Sequence, residues 1–368
     1  MPTFNPFEPR TMLRAVQQRK EPKKFFRDRF FKDRPVSQTE NIDVDFKRGQ
    51  RRMAPVVSIH SSGRIIERIG YKRNTITPPL MLPKKVITWE DAIKTLPGEN
   101  IYEGKSPEER VAALLGQDIL ELDDMSVRRE EWMCAQSLIT GAISIPDEES
   151  ALADPSNPKN VFEIDFGLEH TSTNQSTTVW DNYELVTGST DQWKSNPLTD
   201  IKAWGLAVKQ ATGITPDTLV LSDDLVDIFL NHPAVVAKSR ILEIRLLSVA
   251  PEIKASDDGA AFIGTYLVPG LGDVNVYSYP EWYIDDVTGT EMPMLPANTA
   301  LLLSTKSDFR LAYGAYYDVA LMQMAPVSRY PRQWIDMDGN RRFFQLVSRP
   351  LPAPVDLGSW YVGHPLGE

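Results

Sequence analysis

The chain has 368 residues, 42% hydrophobic and 24% charged, with a formal net charge of -10; this is the composition of a globular protein long enough for two domains and an extension. One cysteine, Cys134, excludes an intramolecular disulfide framework, and four scattered histidines give no metal-ligand spacing, so neither a metal nor a cofactor is expected. No stretch approaches the roughly 18 uninterrupted apolar residues of a membrane span, and the start MPTFNPFEPRT lacks the basic and apolar regions of a secretory signal, so no membrane association or signal-led export is expected.

The charge is unevenly placed. The first 85 residues hold 20 of the 40 Lys and Arg but 8 of the 50 Asp and Glu, so a stretch of about +12 precedes a body of about -22. The simplest partner for such a segment is the acidic body of another copy, which makes self-assembly the first expectation. Residues 1–45 read as an arm, broken by Pro2, Pro6, Pro9, Pro22 and Pro35. Within it, FFRDRFF at 25–31 puts Phe26 and Phe30 on one face of a short helix, an anchor that needs an apolar surface. Each buried Phe stabilises by about 1.5–3 kcal/mol and each exposed ion pair by about 0–1 kcal/mol, so the rings should fasten the arm and the charges guide it. Packing on its own domain would satisfy the same pattern.

From Phe46 to Trp89 the spacing predicts strands: Val56, Val57 and Ile59, a turn at Ser62 and Gly63, then Ile65, Ile66 and Ile69 among basic residues. So polar a hairpin is marginal alone and should lie on something else. The strongest helix signal follows, with Ser106 and Glu109 as a capping box, Pro107 at the first position and Gly141 at the far end. Strands are expected at 161–166 and 177–180, the two paired with each other. Helices are predicted from Asn196 to near Gly213, after Ser222, and over 234–247, with a strand at 218–221 between the first two. Further strands are predicted at 262–268, 274–277, 300–303, 343–347 and 360–362, with turns at 285–289 and 336–340.

The segments with chemical potential are weak. GENIYEGKS at 98–106 approaches a phosphate-binding loop, but five residues separate its glycines, and Glu99 and Glu103 would repel a phosphate. A turn leading into a capped helix explains the same residues. Cys134 has no base near it by local spacing and reads as a buried structural thiol. DMDGN at 336–340 lacks calcium-loop spacing, and PGLGD at 269–273 lacks the third glycine of a dinucleotide fingerprint, so both read as turns.

Taken in order, FFRDRFF at 25–31, the basic hairpin, RREEWMCAQ at 128–136 and RYPRQW at 329–334 resemble the major capsid protein E family of tailed bacteriophages, typified by phage lambda. Residues 342–354, with Pro350 and Pro352 ahead of Asp356, are similar to that family's final strand entry. The resemblance implies the α+β major capsid fold of tailed phages and herpesviruses. Its parts would be an N-terminal arm (1–45), an extended β-hairpin loop (46–89), a peripheral domain (90–194) with a spine helix at 106–141, an α/β axial domain (195–320), and return strands of the peripheral domain (321–368). It further implies hexamers and pentamers that self-assemble in the host cytoplasm into the icosahedral head of a virion, around double-stranded DNA held without sequence specificity. Each extended loop would lie across a neighbour, and a compact precursor shell would expand. A separate scaffolding protein, a portal and a decoration protein are the implied further partners. The work is mechanical rather than catalytic. The residues expected at intersubunit contacts are Phe25, Phe26, Phe30, Phe31, Arg51, Arg52, Arg64 and Arg68. On the residues alone two other classes stay open: a nucleic-acid-binding protein using the basic arm at 19–34, and a nucleotide-using enzyme built on the near-miss loop.

Overall fold

The structure is a computed structural model; it describes residues 24–46, 53–56, 65–66, 72–93, 106–146, 159–174, 179–186, 193–237, 254–255, 259–285, 288–319, 321–336 and 341–367. Its helices are α1 (Phe25–Arg29), α2 (Trp89–Ile93), α3 (Pro107–Ile139), α4 (Pro197–Thr212) and α5 (Asp223–Asn231), with a helical turn at 233–237.

Helix α3 is the spine. At about 1.5 Å per residue its 33 residues span roughly 50 Å. Both halves of the predicted capping box form: Ser106 Oγ accepts from the Glu109 N–H, and the Glu109 carboxylate accepts from the Ser106 N–H. The far end stops at Gly141, whose φ of +69° and close approach to Leu168 leave no room for a side chain. Its first half buries one stripe, Leu115, Ile119 and Leu122, against Phe344 and Leu346. Its second half is enclosed on nearly every side.

A seven-stranded sheet forms the other structural centre, in the order Thr171–Thr173, Tyr361–His364, Ala300–Leu303, Thr218–Leu221, Gly272–Ser278, Ala261–Val268, Lys254–Ala255. Its middle strands, TLVL and ALLL, are buried along their whole length, as expected for continuous apolar runs covered on both faces. Leu219, Leu221, Val274, Val276 and Leu302 face α4 and α5. Val220, Leu301, Leu303 and Val362 face the core shared with α1 and the end of α3. Both α4 and the strand at 218–221 sit where the sequence predicts them, with Asn196 capping α4 and Gly213 at φ +89° closing it.

A three-stranded antiparallel sheet, Tyr330–Asp336, Arg341–Val347 and Lys84–Thr88, lies along the first half of the spine. The strand at 84–88 thus joins the return strands rather than the hairpin loop. The loop's base is instead Ile42–Phe46 paired antiparallel with Lys72–Ile76, with Asp43 opposite Thr75 and Asp45 ion-paired to Arg73. The turn expected at Ser62 and Gly63 lies outside the described residues, as do residues 98–105 of the near-miss loop and most of 234–247.

One strand pairing differs from expectation. Asn160–Asp165 forms a strand paired with Ala142–Pro146; of the expected partner, 177 and 178 lie outside the described residues, and 179 and 180 form no strand. Trp180 lies in a turn, fully buried, with its indole stacked on Trp204 and its Nε1 donating to Asp200. Its ring is claimed by the helix it packs on, which local alternation could not reveal.

Candidate assembly surfaces

The arm helix α1 does not hang free. Phe25, Phe26, Phe30 and Phe31 are all buried in the chain's own core, against the expectation that they fasten onto a neighbour. Phe25 stacks on Tyr279 at 5.5 Å and Phe31 on Phe309 at 5.5 Å, while Phe26 meets Tyr279 edge-on at 5.1 Å. The physical reason is a carboxylate about a hundred residues away. Glu131, fully buried on the spine, accepts from the backbone N–H groups of Phe26 and Arg27, each at 2.9 Å, and from the Tyr279 hydroxyl at 2.7 Å. It therefore satisfies the orphan donors of a helix too short to stand alone. Burial pushes the Glu131 carboxyl above its ordinary range, and the Tyr279 and backbone hydrogen bonds offset part of that shift.

Glu130 beside it ties three parts of the chain together. One oxygen pairs with Arg27 Nε at 2.9 Å and the other accepts from Arg329 Nη1 at 2.6 Å, while Arg329 Nε donates to Asp123 at 3.0 Å. Asp123 and Glu130 are seven residues apart, two helical turns, so they share the face that Arg329 meets. Burial works against the Arg329 charge, but Glu130 and Asp123 outweigh it and hold the guanidinium protonated. Two of the segments that carry the resemblance, 128–136 and 329–334, are thus joined by a buried ion pair. Carboxylates on a helix stripe that is otherwise apolar are the signal in the sequence that could have located this cluster.

Three other regions leave apolar surface uncovered. Between the two strands of the loop's base in sequence, Val56 is 100%, Ile65 91% and Met53 87% exposed. Arg51, Arg52, Arg64 and Arg68 lie outside the described residues. A groove of about 550 Å³ runs beside the spine, floored by Met125 and Trp132 and walled by Leu80, Phe162, Tyr283 and Ile284. Arg129 lies over the Trp132 ring at 4.5 Å, and beyond Val161 the outward face of the strand continues with exposed Glu163 and Asp165. The third region is a small hairpin, Tyr316–Asp318 paired with Gln323–Ala325, whose Tyr317, Val319, Leu321, Met322 and Met324 face solvent.

Among the described residues, Cys134 and the Ser195–His232 pair are engaged in the core. Cys134 is buried in the core, and burial raises its thiol well above the ordinary range, with Glu131 and Glu130 adding to the rise. Sequence reasoning missed a buried Ser195–His232 pair. His232 Nδ1 accepts from the Ala234 N–H at 3.1 Å, so Nε2 carries the proton and donates to Ser195 Oγ at 3.1 Å, and that hydroxyl donates to Asn182 O at 2.7 Å. The proton relay runs opposite to what a general base requires. Among the described residues no group of three or more His, Cys, Asp or Glu could hold a metal, and no helix is long and apolar enough to cross a membrane.

A well-anchored body that leaves a groove, a small hairpin and Met53, Val56 and Ile65 in water suits a shell-building subunit, and the fold is that of tailed-phage capsid proteins. The chain belongs to the family Phage major capsid protein E, whose family model matches residues 8–363. It is a major capsid protein of a phage head and a component of the virion shell. It is 24% identical over 356 residues to the major capsid protein of Enterobacteria phage P21, covering 95% of this chain and 96% of that one. It is 23% identical over 332 residues to the major capsid protein of Escherichia phage N15, covering 89% of each. Its fold is similar to the crystal structure of a capsid protein assigned to a prophage of Escherichia coli CFT073, with a TM-score of 0.66, 18% identity and coverage of 97% and 99%.

Proposed function

We propose that the shell is built by the loop at 47–71 of each subunit lying in the groove beside the spine of a neighbour, within hexamers and pentamers. The exposure of Val56, Ile65 and Met53 carries this reading, since three large apolar side chains left in water gain about 1.5–3 kcal/mol each on burial. Residues 47–71 hold six Lys and Arg, among them Arg51, Arg52, Arg64 and Arg68, against one Glu; the charged residues lining the groove are Arg128 and Arg129, with exposed Glu163 and Asp165 further along the strand from Val161. The apolar side chains, not the charges, hold the loop in this seat.

In this reading residues 90–194 and 321–368 act as a peripheral domain, 195–320 as an axial domain near the capsomer centre, and the arm helix as part of the rigid body that moves with the spine when a precursor shell expands. Scaffolding protein, portal, decoration protein and packaged double-stranded DNA are the partners such a shell implies. The chain's contribution is mechanical: many modest contacts that correct errors singly and hold collectively.

Co-assembly of a Val56→Cys chain with a Val161→Cys chain tests the loop's seat, because Cys134 is buried and does not compete. Oxidation of completed shells should give mixed disulfide dimers, and their absence from well-formed shells would refute the seat. Reversing Arg51, Arg52, Arg64 and Arg68 together to Glu should leave a folded subunit that assembles slowly and with a weaker salt response.

A further inference from the structure

We infer that the hairpin formed by Tyr316–Asp318 and Gln323–Ala325 is a homotypic contact, packing against the same hairpin of a second copy of this chain when shells close. The inference rests on shell assembly by this chain and not on where its extended loop seats.

The hairpin presents an apolar tip in which Met322 is 79% and Val319 66% exposed, with Tyr317, Leu321 and Met324 beside them. In a chain that is 24% charged, the only charged residue from 316 to 325 is Asp318. It is turned inward, buried, and accepts from the Tyr330 hydroxyl at 2.6 Å. An uncharged surface is complementary to itself, because two copies meet without like-charge repulsion. Two copies of the acidic body do not. The tip also offers no carboxylate to the basic loop, which argues against that loop as its occupant.

The hairpin is firmly held at its base. Tyr316 lies 5.6 Å from the Tyr330 ring, Arg332 donates to the Tyr316 hydroxyl, and the N–H groups of Gly314 and Ala315 donate to Arg349 O and Thr39 O. A tip so anchored loses little further freedom on contact. Its exposed side chains amount to a few hundred Å², short of the ~800 Å² per partner of a stable two-body interface. It therefore fails to dimerise free subunits and acts only between subunits that other contacts already hold close, where avidity multiplies it.

A single Met322→Cys substitution in the full chain tests this, since one cysteine joins to itself only where two tips come within disulfide reach. Oxidised shells should run as disulfide-linked dimers on a non-reducing gel, and free subunits at the same concentration should stay monomeric. Leu321→Glu, at an exposed site, should melt like the parent chain and lower the yield of closed shells about tenfold or more. Should Met322→Cys assemble poorly, Val319→Cys supplies a second position. Complete shells whose tip cysteines remain unlinked at both positions, or Leu321→Glu shells at parental yield, would overturn the inference. Because the loop's seat is read by the separate Val56–Val161 link, shells that carry that link and no tip link defeat this inference alone.

Discussion

Glu130 has no slack. It holds Arg27 from the arm and Arg329 from the return segment in a site closed to water, so removing its charge takes an ion-pair partner from two buried guanidinium groups at once. Glu130→Gln should therefore cost about 3–5 kcal/mol, the range for breaking a buried ion pair from one side, read as a lower urea midpoint with an unchanged slope. His232 gives a pH signature. Burial lowers its folded pKa from 6.5 to about 4, so its contribution to stability is complete above pH 6.5 and drains away as pH falls toward 4. With partial solvent screening the loss is on the order of 1–3 kcal/mol. His232→Gln should flatten the stability profile between pH 6.5 and 5, above the range where ordinary carboxylates titrate, and an unchanged profile would mean that another group dominates. Glu130 shows in sequence only as a carboxylate on an otherwise apolar helix stripe, and His232 not at all, because its burial depends on partners supplied by distant segments.

At the scale of elements, the spine and α4 are readable in advance because their signals are local: a capping box, a proline at the first turn, an asparagine cap, a glycine at the close. The arm helix was readable as a helix and not as to its destination, since its docking acid Glu131 lies in another element and any apolar surface would satisfy the four rings. The same reason hid the pairing of 160–165 with 142–146. The arm's docking alters what truncation does. Removal of residues 1–35 strips four buried rings and the Arg27 pair from the core. At about 1.5–3 kcal/mol per ring, that loss matches the whole stability of an ordinary domain, so circular dichroism melting should show this deletion unfolded or aggregated. At the rim of the large sheet, a side-chain carbon at Gly363 would stand 2.3 Å from the Trp204 ring. Gly363→Ala should accordingly destabilise by about 1–3 kcal/mol through overpacking, measurable as a drop in melting temperature.

For the whole molecule, the contrast between a basic first quarter and an acidic body pointed toward association before any element was placed. Within the loop Met53, Val56 and Ile65 stand in water, whereas the phenylalanines complete the chain's own core. Charge patterning identifies segments that seek a partner, but only packing decides whether the partner is in the same chain. The arm helix belongs to the body, and in the proposed assembly the loop at 47–71 belongs to the lattice. Cryo-electron microscopy of shells assembled from this chain tests that division most directly. The account predicts continuous density for each loop crossing to a neighbour's groove beside Trp132, with residues 25–31 seated on their own spine. Density showing the loop folded back on its own subunit, with the groove open to water, would contradict it.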